Sequence, residues 1–373
     1  MRSTRLLQCL ALLMLSPLSA QEQVPGVQNV IIHLEKERCA GWPANNGAWS
    51  WGDEIVIGYV FGWHEERPGA LHTMAADPPQ QARLARSLDG GATWTTEIPS
   101  FLDVEGKEAE PSDSPGSINF AHPDFALMMR MVDSKFGYSR FYYSYDRCKT
   151  WAGPFNLPAF GRQGVFARTD YIVNGKDDCL IFITAAEDGG GEGWPLCART
   201  TDGGKTWEFQ GWIGKQPEEP DYRIMPATVR LGVNDLLTAT RCRNRDARGE
   251  EIWGIEMYLS PDNGKRWYQL EGPHIDHHGN PASLITLQDG RLVLTYGYRR
   301  EPFGIRGVMS ADQGRSWGNE FVLRDDADLR DLGYPRSVQR ADGKCVTAYY
   351  FKDANQKERY VACTIWDPVA VKP

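Results

Sequence analysis

Short runs of mainly apolar residues recur along the whole chain, separated by segments rich in Gly, Pro, Asp and Ser. Examples are Glu54-Ile-Val-Ile-Gly-Tyr-Val60 and Cys179-Leu-Ile-Phe-Ile-Thr184, and residues 27–34 alternate between apolar and polar positions. Runs of this length bounded by turn residues are typical of strands. The pattern therefore predicts an all-β protein of many short strands joined by turns.

One turn sequence occurs five times. The first copy reads Ser87-Leu-Asp-Gly-Gly-Ala-Thr-Trp94, and the others begin at Ser144, Thr200, Ser260 and Ser310, so that 50 to 60 residues separate successive copies. This period fits one four-stranded propeller blade and is too long for a helix-pair repeat. In such a turn the Asp can accept backbone hydrogen bonds, the Gly positions permit positive φ, and the Trp can pack between sheets.

The motif S-x-D-x-G-x-[TS]-W resembles the Asp-box, or bacterial neuraminidase repeat, of the sialidase-like β-propellers. This resemblance covers nearly the whole chain after its first 20 residues and implies a six-bladed propeller of four-stranded antiparallel blades. Blades are expected at about 39–99, 120–157, 166–213, 221–273, 279–324 and 333–367, with Phe125-Ala-Leu-Met-Met-Arg-Met131 as the inner strand of the second. Residues 27–34 are expected to close the ring as the outer strand of the last blade.

The beginning of the chain predicts export. Arg2 and Arg5 precede a mostly apolar run at 6–15, and small residues at 16–20 offer a cleavage site, as in a signal peptide. We therefore expect a signal peptide at 1–20, one propeller domain at 21–373, and a periplasmic or extracellular protein. The apolar run is too short to span a bilayer, so no membrane span is expected.

The net charge limits the classes of partner, and the cysteine content bears on metal sites and disulfides. The net charge of −8 argues against a nucleic-acid partner, whereas a small anionic ligand responds to local charge. Seven cysteines remain after the signal, without a metal-binding spacing, and Cys179 with Cys197 is the first disulfide candidate. No cofactor and no catalytic metal are expected; a structural Ca²⁺ is left open.

The candidate chemistry lies where the inner strands begin, because these strands converge on the axis of a propeller. Those positions are polar and rich in arginine, which favours an anionic ligand because the guanidinium group pairs with carboxylates. The residues considered there are Trp42, Asn45, His122, Asp124, Arg168, Asp170, Asp221, Arg223, His277, His278, Asn280, Asp331, Tyr334 and Arg336.

The resemblance to sialidases assigns roles to some of these residues. Sialidases hold a sugar carboxylate with three arginines and use a tyrosine nucleophile, which this comparison places at Tyr334. Arg223, in Arg-Ile-Met-Pro226, resembles the Arg-Ile-Pro element, and Arg241 or Arg243 and Arg306 resemble the second and third arginines. The chain departs from the family pattern at Trp42, where the first arginine is expected, and at Met225, where the activating glutamate is expected; Glu250 or Glu251 is a possible substitute.

The sequence thus predicts an exo-acting glycoside hydrolase for terminal acidic or related sugars of glycans. Arg223, Arg306 and Arg336 would orient the anion, Asp124 or Asp170 would supply the proton, and Trp42, Arg168, Arg241 and Asn280 would add substrate contacts. Two alternatives stay open. One is a polysaccharide lyase in which His278 and Tyr334 act as base and acid on a uronate. The other is a carbohydrate-binding propeller without turnover.

Overall fold

The chain forms six sheets that follow one another around a common axis. The computed structural model describes residues 22–66, 72–77, 79–103, 105–133, 136–270, 275–276 and 279–372, and within these ranges helix is limited to two 3₁₀ turns, Pro43–Asn45 and Pro368–Ala370. The sheets are mostly four-stranded and antiparallel. The predicted six-bladed β-propeller is confirmed.

The strands of each blade follow one another from the axis outward. Blade one contains a divided inner strand, Arg38–Gly41 and Ala48–Trp51, then Glu54–Trp63, Gln81–Ser87 and Thr95–Glu97. Blade two contains Ala126–Met131, Ser139–Ser144 and Ala152–Asn156. Blade three contains Val165–Phe166 with Tyr171–Val173, then Cys179–Ala186, Glu192–Thr200 and Glu208–Trp212. Blade four contains Tyr222–Arg230, Leu236–Arg245, Glu251–Ser260 and Tyr268–Gln269, with Ile275–Asp276 also paired to its third strand. Blade five contains Ala282–Thr286, Leu292–Tyr298, Gly304–Ser310 and Phe321–Arg324. Blade six contains Gly333–Gln339, Cys345–Phe351 and Tyr360–Trp366.

The N-terminal segment closes the ring twice. Gln28–His33 pairs antiparallel with Tyr360–Trp366 and is the outer strand of blade six, which confirms the prediction for residues 27–34. A second, unpredicted closure comes from Glu22–Gln23, which pairs in parallel with Phe321–Arg324 at the edge of blade five. Both pairings cover edges that would otherwise leave backbone groups unpaired.

The repeated turns form a network of local hydrogen bonds. In the first copy Asp89 accepts the backbone N–H of Thr93 at 2.9 Å and its hydroxyl at 2.6 Å. These bonds favour the ionised carboxylate and lower the pKa of Asp89 to about 2. The closing Trp packs between sheets as expected: the ring of Trp151, in the second copy, lies 5.6 Å from that of Trp49 of blade one.

The repeated turns also define the two ends of the ring. Each turn lies between the third and fourth strands of a four-stranded blade, so the third strands end there. Because neighbouring strands are antiparallel, the inner strands begin, the second strands end and the third strands begin at the opposite end. We call that opposite end the front face.

Blade two departs from the predicted four strands. Among the described residues it has three, and Ala126–Met131 is antiparallel to Ser139–Ser144, the strand that leads into the repeated turn. Ala126–Met131 therefore corresponds in direction to the second strands of the other blades, not to an inner strand. Thr169 of blade three borders it instead: the Thr169 hydroxyl accepts the N–H of Met129 at 3.0 Å and donates to the carbonyl of Asn46 at 2.9 Å.

The seven cysteines of the described chain are free and buried. The proposed Cys179–Cys197 disulfide is wrong, because Cys179 lies opposite Thr200 whereas Cys197 lies opposite Phe182. That offset of three residues separates the two Cα atoms by roughly 10 Å, beyond the reach of a disulfide. Within the ranges described above, no helix has the length and apolarity needed to cross a membrane.

Candidate functional site

Three bulky residues with positive φ lie on inner strands or beside them around the hub of the front face. They are Trp42 (φ 55°), Met225 (φ 56°) and Tyr334 (φ 49°), in blades one, four and six. Met225 and Tyr334 pack in one apolar cluster, and Trp42 and Tyr334 in another. Non-glycine residues are strained in this region of φ, and such strain is concentrated at functional sites.

Asn280 holds the backbone of Tyr334. The strand Gly333–Gln339 is bulged at this point, and the Asn280 side-chain oxygen accepts the N–H of Tyr334 at 2.9 Å. The Asn280 amide nitrogen donates to the carbonyl of Leu332 at 2.8 Å. A Cβ at Gly333 would lie 2.6 Å from the Asn280 side chain, so the position requires glycine both for space and for its φ of 102°. Asn280 therefore positions the tyrosine.

Arg241 of blade four contacts the Tyr334 hydroxyl. Its Nη1 donates to the Tyr334 oxygen at 3.2 Å and its Nη2 donates to the hydroxyl of Tyr222 at 3.1 Å. The guanidinium carbon lies 5.6 Å from the Tyr222 ring centre and 5.8 Å from that of Trp253. Among the described residues no carboxylate lies within ion-pairing distance of Arg241, and its buried Nε has no hydrogen-bond partner. This arginine is equipped to bind an anion.

Arg168 of blade three lies in the same electrostatic neighbourhood but already has a partner. Its two terminal nitrogens donate to Glu192 at 2.6 and 2.7 Å, and its Nε donates to the side chain of Asn45 at 3.0 Å. Burial opposes the charge of Arg168, yet the carboxylate of Glu192 outweighs burial and raises its pKa. The pair brings a carboxylate to the front face and links blades one and three.

A second carboxylate, Asp331, is buried beside Tyr350. It accepts the Tyr350 hydroxyl at 2.6 Å, and its other oxygen lies 2.7 Å from the Nε of Arg359. His72, from the insertion between the second and third strands of blade one, places its Nδ1 3.1 Å from Asp331. Burial would raise the pKa of Asp331, but the hydrogen bond from His72 and the charge of Arg359 outweigh it and lower that pKa.

His72 and Arg299 connect this carboxylate to Tyr334. The His72 side chain is half exposed and its ring lies edge-on to Trp42 at 5.3 Å. Arg299 donates to the Tyr350 hydroxyl at 3.1 Å, and its guanidinium carbon lies 5.7 Å from the centre of the Tyr334 ring. The described front face thus surrounds one tyrosine with arginines from blades three, four and five.

Arg336 and Asp170 lie deeper in the hub. Arg336 donates to the carbonyls of Ala44 and Thr169 at 2.8 and 2.6 Å, which ties blades one, three and six together. Asp170 accepts the hydroxyl of Thr228 at 2.9 Å. Burial raises the pKa of Asp170 to about 7, although the charge of Arg336 acts in the opposite direction. These two residues stabilise the hub beneath the tyrosine.

The structure does not bring every predicted residue to this cluster. Arg223 is paired with Glu256 at 2.7 Å. Arg306 is paired with Glu320 at 2.5 Å, and only 1% of it is exposed. Each of these arginines is thus held by a carboxylate of its own blade.

Asp124 lies at the opposite end of the ring, because the strand that it precedes runs toward the front face. Its carboxylate accepts the Nε of Arg147, a residue of the second repeated turn, at 2.6 Å. Met225 is buried in the hub and offers no proton acceptor, and Glu251 is paired with Arg243 at 3.3 Å. His277 and His278 lie outside the described residues.

Several front-face residues were not among the predicted ones, among them Arg299, Glu192 and His72. Arg299, directly after the second strand of blade five, corresponds to Arg243 on the second strand of blade four, because Leu292 and Leu236 each pair with the first residue of a repeated turn; comparing the two blades would have favoured Arg299 over Arg306. Glu192 opens the third strand of blade three after a glycine-rich turn, and nothing in its local sequence distinguishes it from a surface glutamate. In the part of the chain that the structure describes, no group of three or more His, Cys, Asp or Glu side chains is placed to hold a metal ion.

A groove of about 410 Å³ opens beside this cluster on the front face. Trp42 and Asn45 line one side, and Arg130 and Val132, at the end of the first strand of blade two, line the other. Asn45 contacts both the groove and Arg168. The fold and the arrangement around Tyr334 define a propeller with a cationic, aromatic site at its hub.

The family is established by sequence. The model described as "BNR repeat-like domain" matches residues 127–346, which is more than half of the chain. The chain therefore belongs to the BNR repeat-like domain family. No curated protein sequence matched the chain.

Solved structures share the fold at low identity. A protein of unknown function from Dyadobacter fermentans is 21% identical, with a TM-score of 0.70 over 92% of this chain and 100% of that one. The NanB sialidase from Streptococcus pneumoniae is 10% identical, with a TM-score of 0.62 over 92% of this chain and 71% of that one. The GH93 α-L-arabinofuranosidase of Fusarium graminearum, solved with arabinobiose, is 13% identical, with a TM-score of 0.63 over 92% and 98%. At these low sequence identities, the similarity to the three structures concerns the fold alone.

Proposed function

We propose that this protein is an exo-acting glycoside hydrolase that removes a terminal acidic or related sugar from a glycan. The observation that carries the proposal is Arg241, which lacks a carboxylate partner among the described residues and donates to the Tyr334 hydroxyl inside an aromatic pocket. A sialidase and an α-L-arabinofuranosidase among the structures of the same fold support the reaction class.

Arg241 has two parts in the proposed reaction. Its guanidinium group binds the anionic or polar substituent of the sugar, because no carboxylate of the described protein lies within ion-pairing distance of it. The same group stabilises negative charge on the Tyr334 oxygen, since it lies within hydrogen-bond distance of that atom. Arg168, by contrast, is neutralised by Glu192 and serves to hold that carboxylate in place.

The proposed bond changes take place at the anomeric carbon. The Tyr334 hydroxyl gives its proton to solvent, its oxygen bonds to this carbon or stabilises its positive charge, the bond to the glycosidic oxygen breaks, and that oxygen takes a proton. His72 is the proposed proton carrier, because Asp331 holds its Nδ1 and leaves Nε2 available on the half-exposed side. Water then attacks the anomeric carbon and gives up its proton to the same imidazole, while any bond from this carbon to the Tyr334 oxygen breaks and Tyr334 takes back a proton from solvent.

The experiment is a product analysis on matched glycosides. Purified protein is incubated with aryl α-sialoside, β-glucuronide, α-L-rhamnoside and α-L-arabinofuranoside, and with oligosaccharides ending in the same sugars. Hydrolysis predicts a free sugar with no unsaturated product. Ultraviolet absorbance from an unsaturated uronate would instead indicate the lyase alternative, and binding without any product would indicate a carbohydrate-binding propeller. Either result would overturn the proposal.

Export is a separate proposal. Residues 1–21 lie outside the described residues, so the signal peptide and a periplasmic or extracellular location stay predictions from the sequence. They fit a protein whose substrate is an extracellular glycan. Cell fractionation of a tagged full-length chain, with an Arg2, Arg5 double substitution to glutamine as the control, measures export directly.

A further inference from the structure

The groove beside the candidate site adjoins a second cavity over blade two. The first part, of about 410 Å³, and the second part, of about 440 Å³, share Val132 as a lining residue, and the second runs along Tyr138, Arg140 and Leu157. Each part has the size of a small-molecule site, ~300–1,000 Å³. We call the two parts together the blade-two groove.

The position of blade two accounts for the groove. This blade has three strands among the described residues, and its first strand ends at the front face with Met131 and Val132. In the other blades an inner strand lies between the second strand and the axis. Here blade three borders the strand through a bridge of Arg168 to Arg130 and through the hydroxyls of Thr169 and Tyr171, which accept the N–H groups of Met129 and Leu127. The space at the front therefore opens outward from the hub over blade two.

The lining of the groove suits a sugar chain. Tyr138 is 63% exposed and Val132 is 52% exposed, next to the exposed ring of Phe136. Exposed aromatic and apolar side chains in a cleft are unusual unless something covers them. Arg130 and Arg140 are both anchored by Glu108, at 2.7 and 3.0 Å, so their remaining N–H groups are held ready to donate. Apolar faces interspersed with fixed donors match the alternating C–H faces and hydroxyls of a pyranose chain.

The groove borders the proposed site of reaction through Trp42 and Asn45. Trp42 lies between the groove and the His72–Asp331 pair, and Asn45 joins the groove to Arg168. A sugar held at Tyr334 would therefore direct the group attached to its anomeric carbon past Trp42 into the groove. We propose that the blade-two groove binds the sugar residues that follow the terminal one, so that the substrate is an oligosaccharide or polysaccharide end and not a small glycoside. This inference rests on the proposed function.

The test compares chain lengths in four proteins. The wild type, Tyr138→Ala, Val132→Ser and the control Tyr268→Ala are assayed on an aryl glycoside and on an oligosaccharide with the same terminal sugar. Tyr268 is a matched control because it is a similarly exposed tyrosine, on the outer strand of blade four. We expect a lower KM for the oligosaccharide in the wild type, and a KM for it about five- to tenfold higher in Tyr138→Ala, as for loss of one aromatic contact. The KM for the aryl glycoside should be the same in Tyr138→Ala and the wild type. Tyr268→Ala should have wild-type KM values on both substrates.

The possible failures are distinguishable. Equal KM values for both substrate lengths, or an oligosaccharide KM unchanged in both groove variants, would contradict the proposed role of the groove. Neither result would contradict the proposed hydrolase activity. If no glycoside is turned over, the proposed function fails, and calorimetric titration with sialyllactose and with a glucuronyl oligosaccharide still tests the groove. Binding that weakens in Tyr138→Ala but not in Tyr268→Ala would support it, and binding that is absent or equal in all proteins would refute it.

Discussion

Replacing Asp170 with asparagine should stabilise the protein at alkaline pH and not at acidic pH. Burial raises the pKa of Asp170 from 3.8 to about 7, so the folded state binds this proton more tightly than the unfolded state does. The stability contributed by the protonated carboxyl is fully present below the unfolded pKa and is lost as the pH rises through the folded pKa. Asparagine mimics the neutral acid at every pH and can keep both hydrogen bonds with Thr228.

The size of the effect follows from the two pKa values. Between about pH 5 and about pH 8, the difference in unfolding free energy between Asp170→Asn and wild type should move by about 2 to 3 kcal/mol in favour of the variant. The assay is urea unfolding followed by tryptophan fluorescence at both pH values, with Asp188→Asn as the control because Asp188 is 86% exposed. A difference that does not change with pH, or that favours wild type at about pH 8, would show that Asp170 is ionised at little cost in the hub.

Three further substitutions separate the front face from the scaffold. Arg241→Gln should leave the fold intact and lower kcat/KM for acidic substrates about 100-fold or more, because a charge-assisted pair with the substrate is lost. A kcat/KM equal to that of the wild type would show that Arg241 does not bind the substrate. Arg306→Met should remove the ion pair with the partly exposed Glu320 and cost about 2 kcal/mol in urea unfolding with no change in KM; a changed KM with unchanged stability would contradict its structural role. Asp202→Ala should cost about 1 to 2 kcal/mol by the same assay, since it removes two hydrogen bonds from Thr206 in a repeated turn, and a neutral result would contradict this account of the turns.

The fold could be predicted because its signal is local and repeated. Each copy of the turn contains in eight residues the carboxylate and the Trp that the structure uses, and in most copies a glycine pair or a single glycine as well. The number of copies and their spacing imply the blades. The repeated turn does not indicate how many strands each blade has, which is why the sequence did not predict that the described part of blade two has three strands. Closure by Gln28–His33 was predicted because the last blade lacked a fourth strand.

The site was predictable only in part, because strand position does not reveal which neighbour a side chain meets. Tyr334 and Asn280 open inner strands, and the hub gathers them whatever the details of packing. Arg306 and Arg299 both lie in blade five near its front end, but Arg306 turns into the blade toward Glu320 while Arg299 faces the Tyr334 ring. Glu192 enters the cluster only through tertiary contact with Arg168.

The most direct measurement is the rate of glycoside hydrolysis by Tyr334→Phe beside Tyr268→Phe. The substitution removes one oxygen atom, the one that Arg241 contacts, and keeps the ring that packs against Tyr350. If this hydroxyl acts at the anomeric carbon, kcat should fall at least ~1,000-fold, about 4 kcal/mol in activation free energy, with the melting temperature unchanged and Tyr268→Phe fully active. A Tyr334→Phe protein that hydrolyses the same glycosides at the wild-type rate would contradict the account.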